Sequence, residues 1–558
     1  MPHLPSTLAT GGTPMESFAE DLSTMVRTPL HDVHVAKLRK MGTVRTVPAG
    51  TVIAAPGDRM TEFLYLLDGE VEVVDPYTGK RRLPHTLGPT QFMGDIGFLT
   101  GAKYAMPMRA CRDTTLLAVP REDMMRLMAA MPELSDIVIS VFSARRRRML
   151  EQEDTSLKIV GADRDRELRR IAAFAARNRI PVRMLDIDSD AAREIAHCKP
   201  DVVLEPSLYF DGQRIEDPSP RKLAQIMGLD LTVGGDEVYD VLIVGGGPAG
   251  VAAGVYAGAE GLSALVVDDL AIGGQAGTSS RIENYMGFPT GISGADLCWR
   301  GEVQAMKFGT RFAVPRRVEA LARRDDGAWC VTLDEGREVC AKAVVVATGV
   351  QYRRLPIDRL AEFEGAGIYY AATEMEARYC REGEVVVIGG GNSAGQAAMF
   401  LSRLTKHVHL LVRGRSLASS MSDYLLSRLE RNPNVTIRYG AEMCGCHGGE
   451  ALDAVTITTP EGEHRIDTRG VFVMIGAAPN TGWLDGHVAL DAKGFVKTGA
   501  CVGADSPYAT SAPGIFAVGD VRAASVKRVA SAVGEGSVVI SAVWSHIDSL
   551  SAPALAAE

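Results

Sequence analysis

The segment Gly245-Gly246-Gly247-Pro248-Ala249-Gly250 follows an apolar run, Val-Leu-Ile-Val, and precedes a stretch rich in alanine and glycine. This G-x-G-x-x-G spacing allows a tight turn in which backbone N–H groups approach a pyrophosphate, whose charge rests on the N-terminus of the following helix. An acid about twenty residues further on should hold a ribose hydroxyl, and both Asp268 and Asp269 end the next apolar run. The spacing does not choose between them. A second copy reads Gly389-Gly390-Gly391-Asn392-Ser393-Ala394 and again follows an apolar run. Two copies imply two dinucleotides. After the second copy the run HVHLLV leads to Arg413, with Arg415 beyond, rather than to an acid. Cations there suit the 2′-phosphate of NADPH, whereas an acid would suit NADH. A third element, Gly514-Ile-Phe-Ala-Val-Gly519-Asp520, ends in an acid able to accept hydroxyl hydrogen bonds, and Lys527, Arg528 and Val529 introduce the last helical stretch.

These segments need strands and helices to position them. From Tyr239 onward short apolar runs such as VLIVGG, ALVVDD, AVVVATG, VVVIGG and FVMIG alternate with helical stretches, which predicts doubly wound parallel sheets. Val241–Ala259 carries no charged residue, but its glycines read as strand, turn and helix rather than as a membrane span. Upstream, residues 31–152 show alternating apolar runs with glycine turns, predicting an antiparallel β-roll. Residues 157–232 read as strand, helix, strand, hairpin and a closing helix begun by Ser219 and Pro220. The fold class is therefore multidomain α/β, with two Rossmann-like domains preceded by the β-roll and a small α/β unit. The expected divisions are 1–30 for a tail, 31–152, 157–232, 236–350 for the first dinucleotide domain, 351–475 for the second, and 476–558 for the return to the first. A length of 558 residues with 46% hydrophobic composition suits several packed cores.

Other chemistries are disfavoured. A net charge of -9 argues against coating nucleic acid, and Arg145–Arg148 reads as the wet end of a helix, its field reduced by nearby acids. Nine cysteines with no C-x-x-C and no paired metal spacing argue against a zinc site or a disulfide framework, so reduced thiols and a cytoplasmic address are expected. Cys444 and Cys446 fall in a glycine-rich turn between predicted strands, which leaves open a redox bridge or ordinary thiols.

With Gly273-Gly274-Gln275, Glu283-Asn284-Tyr285, Ala347-Thr348-Gly349 and Ile475-Gly476, the residues from about Val238 to the C-terminus resemble the class II thioredoxin reductase family, within the pyridine nucleotide-disulfide oxidoreductases. The resemblance implies an FAD site made of Gly245, Gly247, Pro248, Ala249, Gly250, Asp268 or Asp269, Gly274, Gln275, Asn284, Ala347, Thr348, Gly349, Gly519, Asp520, Lys527, Arg528 and Val529. It implies an NADPH site at Gly389, Gly391, Asn392, Ser393, Ala394, Arg413 and Arg415, and a homodimer. The family's usual Arg-Gln before the last helix is Lys527-Arg528 here. The family also carries Cys-Ala-Thr-Cys before its second dinucleotide domain, and the aligned tetrad here is Ala371-Ala372-Thr373-Glu374. Both sulfurs are missing, which removes thiol–disulfide exchange at this position. Glu374 stands where a cysteine would face the flavin and is the candidate acid/base. Cys380 is single.

Phe92-Met-Gly94-Asp95-Ile-Gly-Phe-Leu resembles the phosphate-binding cassette of cyclic-nucleotide β-rolls, in which a Gly-Glu pair holds ribose and an arginine holds phosphate. Gly94 and Asp95 occupy the pair, and Tyr104 replaces the arginine, which implies loss of the bidentate phosphate contact. Residues 157–229 resemble a thioredoxin-like unit whose C-x-x-C position, near Asp163 to Arg166, holds no cysteine. The whole order resembles bacterial cyclic-nucleotide-domain thioredoxin reductases. The expected function is an FAD-dependent, NADPH-linked oxidoreductase that passes electrons to an acceptor other than its own disulfide, a redox protein being one candidate. Two alternatives remain: a non-catalytic nucleotide sensor, or a thioredoxin reductase that uses an external dithiol. No membrane, nucleic-acid or metal partner is expected.

Overall fold

The computed structural model describes residues 28–551 apart from 84, 152–154, 163–164, 197–203, 230–236, 279–281, 283–284, 365, 371, 373–376, 378–379, 382, 419, 450 and 485. Asn284, Glu374, Ala371, Cys198 and most of the expected tail lie outside the described residues.

The first unit opens with α1 (Asp32–Met41) and continues through β1 (Thr43–Val47), β2 (Val52–Ala54), β3 (Glu62–Asp68), β4 (Val71–Val73), β5 (Met108–Ala110) and β6 (Thr114–Pro120). These pair as two three-stranded antiparallel sheets, β1-β6-β3 and β2-β5-β4. The glycine between β3 and β4 is required: Gly69 has φ +103, and a Cβ there would lie 2.5 Å from the Thr114 Cα. α2 (Arg121–Ala130) and α3 (Pro132–Glu151) close the roll. Its centre is a group of aromatic rings, with Phe142 of α3 against Phe63, Phe92 and Phe98 at centroid distances of 6.3, 5.5 and 5.8 Å.

The next unit contains β7 (Leu157–Val160), α4 (Arg166–Arg177), β8 (Arg183–Leu185), α5 (Asp190–Ile195), β9 (Ser207–Phe210), β10 (Gln213–Ile215) and α6 (Pro220–Met227). The sheet order is β10-β9-β7-β8, with β7 and β8 parallel and the rest antiparallel. Asp165 caps α4 through the Leu168 N–H, and Ser219 caps α6 through the Lys222 N–H, with Pro220 at the first helical turn.

The first dinucleotide domain contributes β11 (Val238–Val244), α7 (Pro248–Ala259), β12 (Ala264–Val267), α8 (Gly294–Lys307), β13 (Arg311–Ala313), β14 (Val318–Arg323), β15 (Trp329–Leu333) and β16 (Glu338–Val346). β13-β12-β11-β16 run parallel, and β15 and β14 extend the sheet as an antiparallel flap. β11 is flanked by strands on both sides and by helices on its faces, which is why VLIV reads as a continuous apolar run.

The chain leaves this domain through β17 (Val350–Tyr352) and enters a second one: β18 (Ile368–Tyr369), β19 (Glu384–Ile388), α9 (Asn392–Leu401), β20 (His407–Val412), α10 (Asp423–Glu430), β21 (Val435–Tyr439), a meander of β22 (Glu442–Gly448), β23 (Leu452–Thr459) and β24 (Gly462–Asp467), and β25 (Gly470–Val473). Its parallel sheet has the order β18-β25-β19-β20-β21. It returns through β26 (Ala477–Pro479), antiparallel to β17, to β27 (Ile515–Ala517), which joins β16 in the first sheet, and then to α11 (Val529–Ser551).

The N-terminal units do not hang on free tethers. Val303 of α8 belongs to the β-roll core, with Trp299 and Met306 packed against it, and Val314 belongs to the core of the small α/β unit that precedes the first dinucleotide domain. Arg221 of α6 pairs with Asp334 and Glu335 beside the flap. No helix among the described residues is long and apolar enough to cross a membrane.

Three expectations need correction. The arginine run is not a wet helix end: Arg145 donates to the carbonyls of Phe92 and Gly94, and Arg146 pairs with Asp95. α3 runs beside the cassette, and the long side chains of both residues reach its carbonyls and its carboxylate. The cysteines are not all reduced, since Cys330 and Cys340 are bonded. They face each other in the β15–β16 register at a Cα separation of 4.0 Å, a proximity created by strand pairing across ten residues. Cys444 and Cys446 sit within β22 rather than in a turn, the first exposed and the second buried.

Candidate functional site

The β11–α7 turn is shaped by its glycines. Gly245 has φ +107, and a Cβ there would lie 2.4 Å from the Ala347 carbonyl oxygen, while a Cβ on Gly247 would meet nothing within 4 Å. The first glycine thus allows two strands to meet, and the second leaves open space beside the α7 N-terminus. Gly250 does not line that space. A Cβ on it would lie 1.8 Å from the Gly245 carbonyl oxygen, so its role is to let α7 pack onto the turn, which corrects its placement among the lining residues.

The space is a cleft of about 610 Å³ lined by Gly245, Gly247, Pro248, Ala249, Asp268, Asp269, Gly274, Gln275, Ala347, Thr348, Gly349, Gly519, Asp520, Lys527, Arg528 and Val529. Segments more than 270 residues apart therefore converge along one groove. Asp268 and Asp269 play different parts. Asp268 accepts backbone N–H groups from Gly246, Leu270 and Ala271, so it braces the turn, and burial pushes its pKa up against their opposing pull. Asp269 is exposed and lies 3.7 Å from Arg317.

At the other end, Asp520 makes no hydrogen bond or ion pair among the described residues. Burial pushes its pKa up, with Lys527 acting in the opposite direction. A half-buried carboxylate without a protein partner, beside the N-terminus of α11, suits a polyhydroxylated ligand. Its turn is held by Glu535, a buried acid that sequence reasoning missed. Glu535 accepts the Gly519 N–H at 2.6 Å and pairs with Arg522 at 2.5 Å. The one signal was a lone acid in the apolar helix AVGEGSVV.

Tyr352 and Arg177 are among the cleft's unforeseen members. Tyr352 lines it and stacks on Tyr370 with ring centroids 5.9 Å apart and planes 10° apart. Arg177 enters it from α4 of the preceding unit. The open glycine cradle, two helix N-termini, the lone Asp520 and the aromatic pair fit a flavin dinucleotide: amides for pyrophosphate, acids for hydroxyls and an apolar face for a ring.

The second turn repeats the first. Gly389 has φ +149 and would place a Cβ 2.4 Å from the Met474 carbonyl oxygen. Gly391 precedes α9, Asn392 and Ser393 are exposed at its start, and Ala394 is buried beneath it. Asn392 accepts the Ser422 N–H, which holds the following loop. In the β19–β20 register Ile388 opposes Leu411, so Arg413 emerges beside the glycine turn, and Arg413 and Arg415 are both exposed. Neither makes an ion pair among the described residues. This arrangement fits a dinucleotide carrying an extra phosphate.

The β-roll holds a separate cavity of about 130 Å³ lined by Gly94, Asp95, Tyr104, His85, Thr86, the two arginines Arg145 and Arg148, and apolar side chains that include Met60, Met106, Met108 and Met149. Arg145 is committed to the Phe92 and Gly94 carbonyls. Asp95 is committed to the protein, its Oδ1 accepting the Gly97 N–H at 2.8 Å and its Oδ2 lying 2.9 Å from the Arg146 guanidinium. Tyr104 is buried. With no guanidinium at Tyr104 and no free oxygen pair on Asp95, cyclic AMP should bind about 10- to 100-fold more weakly than to a β-roll that keeps both contacts. Calorimetry on the full chain checks this, and micromolar binding abolished by Asp95→Ala would contradict it.

Among the described residues no cysteine lines the first cleft. Cys380 is buried against Gly470, where an added Cβ would lie 2.4 Å from its sulfur. Neither Cys330 nor Cys340 lines the cleft.

Comparison with known proteins places these features. Residues 239–536 match the family of pyridine nucleotide-disulphide oxidoreductases, and residues 44–131 match the cyclic nucleotide-binding domain. The chain is similar to the thioredoxin reductase of Treponema pallidum, 35% identical over 314 residues that cover 56% of this chain and 98% of that one. It is also similar to the thioredoxin reductase of Streptomyces clavuligerus, 32% identical over 303 residues that cover 54% and 91%. Among solved structures, the thioredoxin reductase of Lactococcus lactis in its FR conformation aligns with a TM-score of 0.48 at 25% identity, over 56% of this chain and 99% of that one.

Proposed function

The chain belongs to the pyridine nucleotide-disulphide oxidoreductases as an FAD- and NADPH-dependent enzyme of thioredoxin reductase type, and from that premise we propose that it delivers electrons to an acceptor without a redox disulfide of its own. The observation that carries this reading is the sequence Ala371-Ala372-Thr373-Glu374 where the family places Cys-Ala-Thr-Cys, in a chain with no C-x-x-C anywhere. Thiol–disulfide exchange needs an attacking thiolate and a leaving sulfur, and this position supplies neither.

FAD held in this cleft would supply hydride-accepting chemistry toward NADPH and one- or two-electron release. The residues of the chain do the rest. Gly245, Gly247 and the α7 N-terminus receive the pyrophosphate, while Asp268 keeps their turn in shape. Gly274, Gln275, Ala347, Thr348 and Gly349 bound the groove, and Asp520 accepts hydroxyl hydrogens on a turn stiffened by Glu535. Lys527 and Arg528 with the start of α11 set a positive field at one end, favouring a reduced, anionic ring. Gly389, Gly391, Asn392, Ser393 and Ala394 receive NADPH, and Arg413 and Arg415 its 2′-phosphate. Tyr352 and Tyr370 support a direct encounter between flavin and acceptor, because Tyr352 brings their stacked aromatic surface to the wall of the cleft. The acceptor class is a quinone, oxygen, another protein's disulfide or a redox carrier. Asn284 keeps the flavin contact the resemblance implies, and Glu374, standing in place of a family cysteine, is the candidate acid/base.

A homodimer is part of this reading, supported by Val538 and Trp544 of α11, which are 55% and 45% exposed. So are a cytoplasmic address, where NADPH is supplied, and a small-molecule effector at the β-roll. The contacts of Asp95 with Arg146, of Arg146 with the Arg179 carbonyl and of Arg179 with Asp296 of the flavin domain favour a second reading, a sensor in which bound nucleotide selects domain arrangements without turnover.

One experiment separates the two. Purified protein should be yellow with about one FAD per chain, and mixing with NADPH without oxygen should bleach the flavin within seconds. Asp520→Ala should weaken FAD retention by about 10-fold or more while leaving the fold intact by circular dichroism. A flavin that binds but stays oxidised under excess NADPH supports the sensor. Colourless, folded protein after reconstitution ends the flavoprotein reading.

A further inference from the structure

The thioredoxin-like unit lies outside the stretch that matches the reductase family, yet it sends a cation into the flavin groove. α4 ends at Arg177, and the three residues 177–179 are fastened to the flavin domain at separate points. The Arg177 guanidinium donates to the Gly274 carbonyl at 3.4 Å, and the Asn178 amide donates to the Leu270 carbonyl at 3.1 Å. Arg179 pairs with Asp296 and lies 4.8 Å above the Trp299 ring. Behind them, Val314 and Ile272 of the flavin domain pack into the core of the thioredoxin-like unit, so the end of α4 is held by apolar contact as well.

The charge pattern of the groove shows what this cation is for. Asp268 and Asp269 stand at one end, and Lys527 and Arg528 lie at the other with Asp520. A dinucleotide brings two phosphate charges between them. Amides of the glycine turn meet part of that charge, but the matched region lines the groove with no cation beside Asp268 and Asp269, since Arg317 lies 3.7 Å from Asp269 outside the groove. Arg177 fills that gap. It lines the groove, the two carboxylates are its charged neighbours, and it forms no ion pair among the described residues. A guanidinium offers a planar fork that matches phosphate oxygens.

We propose that Arg177 is a phosphate ligand of the dinucleotide in the first cleft, supplied by the thioredoxin-like unit and acting on the adenosine side. The inference rests on reading that cleft as the FAD site.

The test uses the full chain, deflavinated and titrated with FAD at low and high salt. Arg177→Ala should raise the Kd for FAD by about 10-fold or more, Arg177→Lys should recover part of the loss, and the salt dependence seen in the wild type should flatten in Arg177→Ala. ADP used as a probe should lose affinity by a similar factor, because it carries the adenosine-side phosphate. Asn178→Ala, which loosens the same segment without removing charge, should leave the salt dependence unchanged. A Kd and salt dependence in Arg177→Ala equal to those of the wild type would overturn the proposal, as would a loss reproduced in full by Asn178→Ala. If the wild type itself takes up no FAD, the flavoprotein reading fails, a result distinct from either.

Discussion

Reduction of thioredoxin by NADPH should run at least about 10³-fold more slowly with this protein than with a reductase that keeps its cysteine tetrad, because the covalent route is missing rather than weakened. A group that acts as nucleophile is not replaced by its neighbours. Ala371 has no reactive atom, Glu374 cannot form or release a sulfur bond, and Cys380 is buried beside Gly470. The Cys330–Cys340 bridge does not line the cleft. A coupled assay with thioredoxin and a chromogenic disulfide measures the rate directly. The sharper form restores both sulfurs as Ala371→Cys with Glu374→Cys. If the second dinucleotide domain still rotates to present either coenzyme or disulfide, this variant should regain thioredoxin turnover. No revival despite rapid flavin reduction would indicate an acceptor that meets the flavin directly. Substantial turnover by the unmodified chain would refute the disulfide-free mechanism.

Coenzyme choice should show the second large effect. Arg413 and Arg415 emerge from the end of β20 beside the second glycine turn, both exposed and without a protein partner among the described residues. Two charge-assisted contacts to a 2′-phosphate, discounted for their exposure, give NADPH a preference over NADH of about 10- to 100-fold. Arg413→Ala with Arg415→Ala should remove most of that preference by weakening NADPH and leaving NADH nearly unchanged. Stopped-flow flavin reduction at several concentrations of each coenzyme gives the four apparent affinities. Equal values in the wild type would exclude the assignment.

The parts of this site that were legible in the sequence are those in which one short segment does its own work. The turns at Gly245 and Gly389 require glycine because a carbonyl from another strand occupies the space of a side chain, and apolar runs on each side announce strand and helix. The Gly519-Asp520 turn carries the same kind of local signal. What the sequence conceals depends on contacts between distant segments. Arg177 belongs to a helix whose periodicity says nothing about the groove it enters, and Glu535 becomes a brace only when α11 packs beside the Gly519 turn. The basic run of α3 misleads for the same reason: its partners at Phe92, Gly94 and Asp95 lie about fifty residues earlier. The Cys330–Cys340 pair follows from strand register, which spacing alone does not reveal.

The packing of the N-terminal units has a mechanical consequence. The second dinucleotide domain joins the first through the paired crossings β17 and β26, whereas the β-roll and the small α/β unit share cores with α8 and Val314 of the first dinucleotide domain. If the coenzyme domain turns during each cycle, it turns as a rotor against a stator made of three units. A signal received in the β-roll therefore does not have to follow the moving part. The contacts that link the β-roll to the end of α4, Asp95 with Arg146 and Arg146 with the Arg179 carbonyl, lie within the stationary frame.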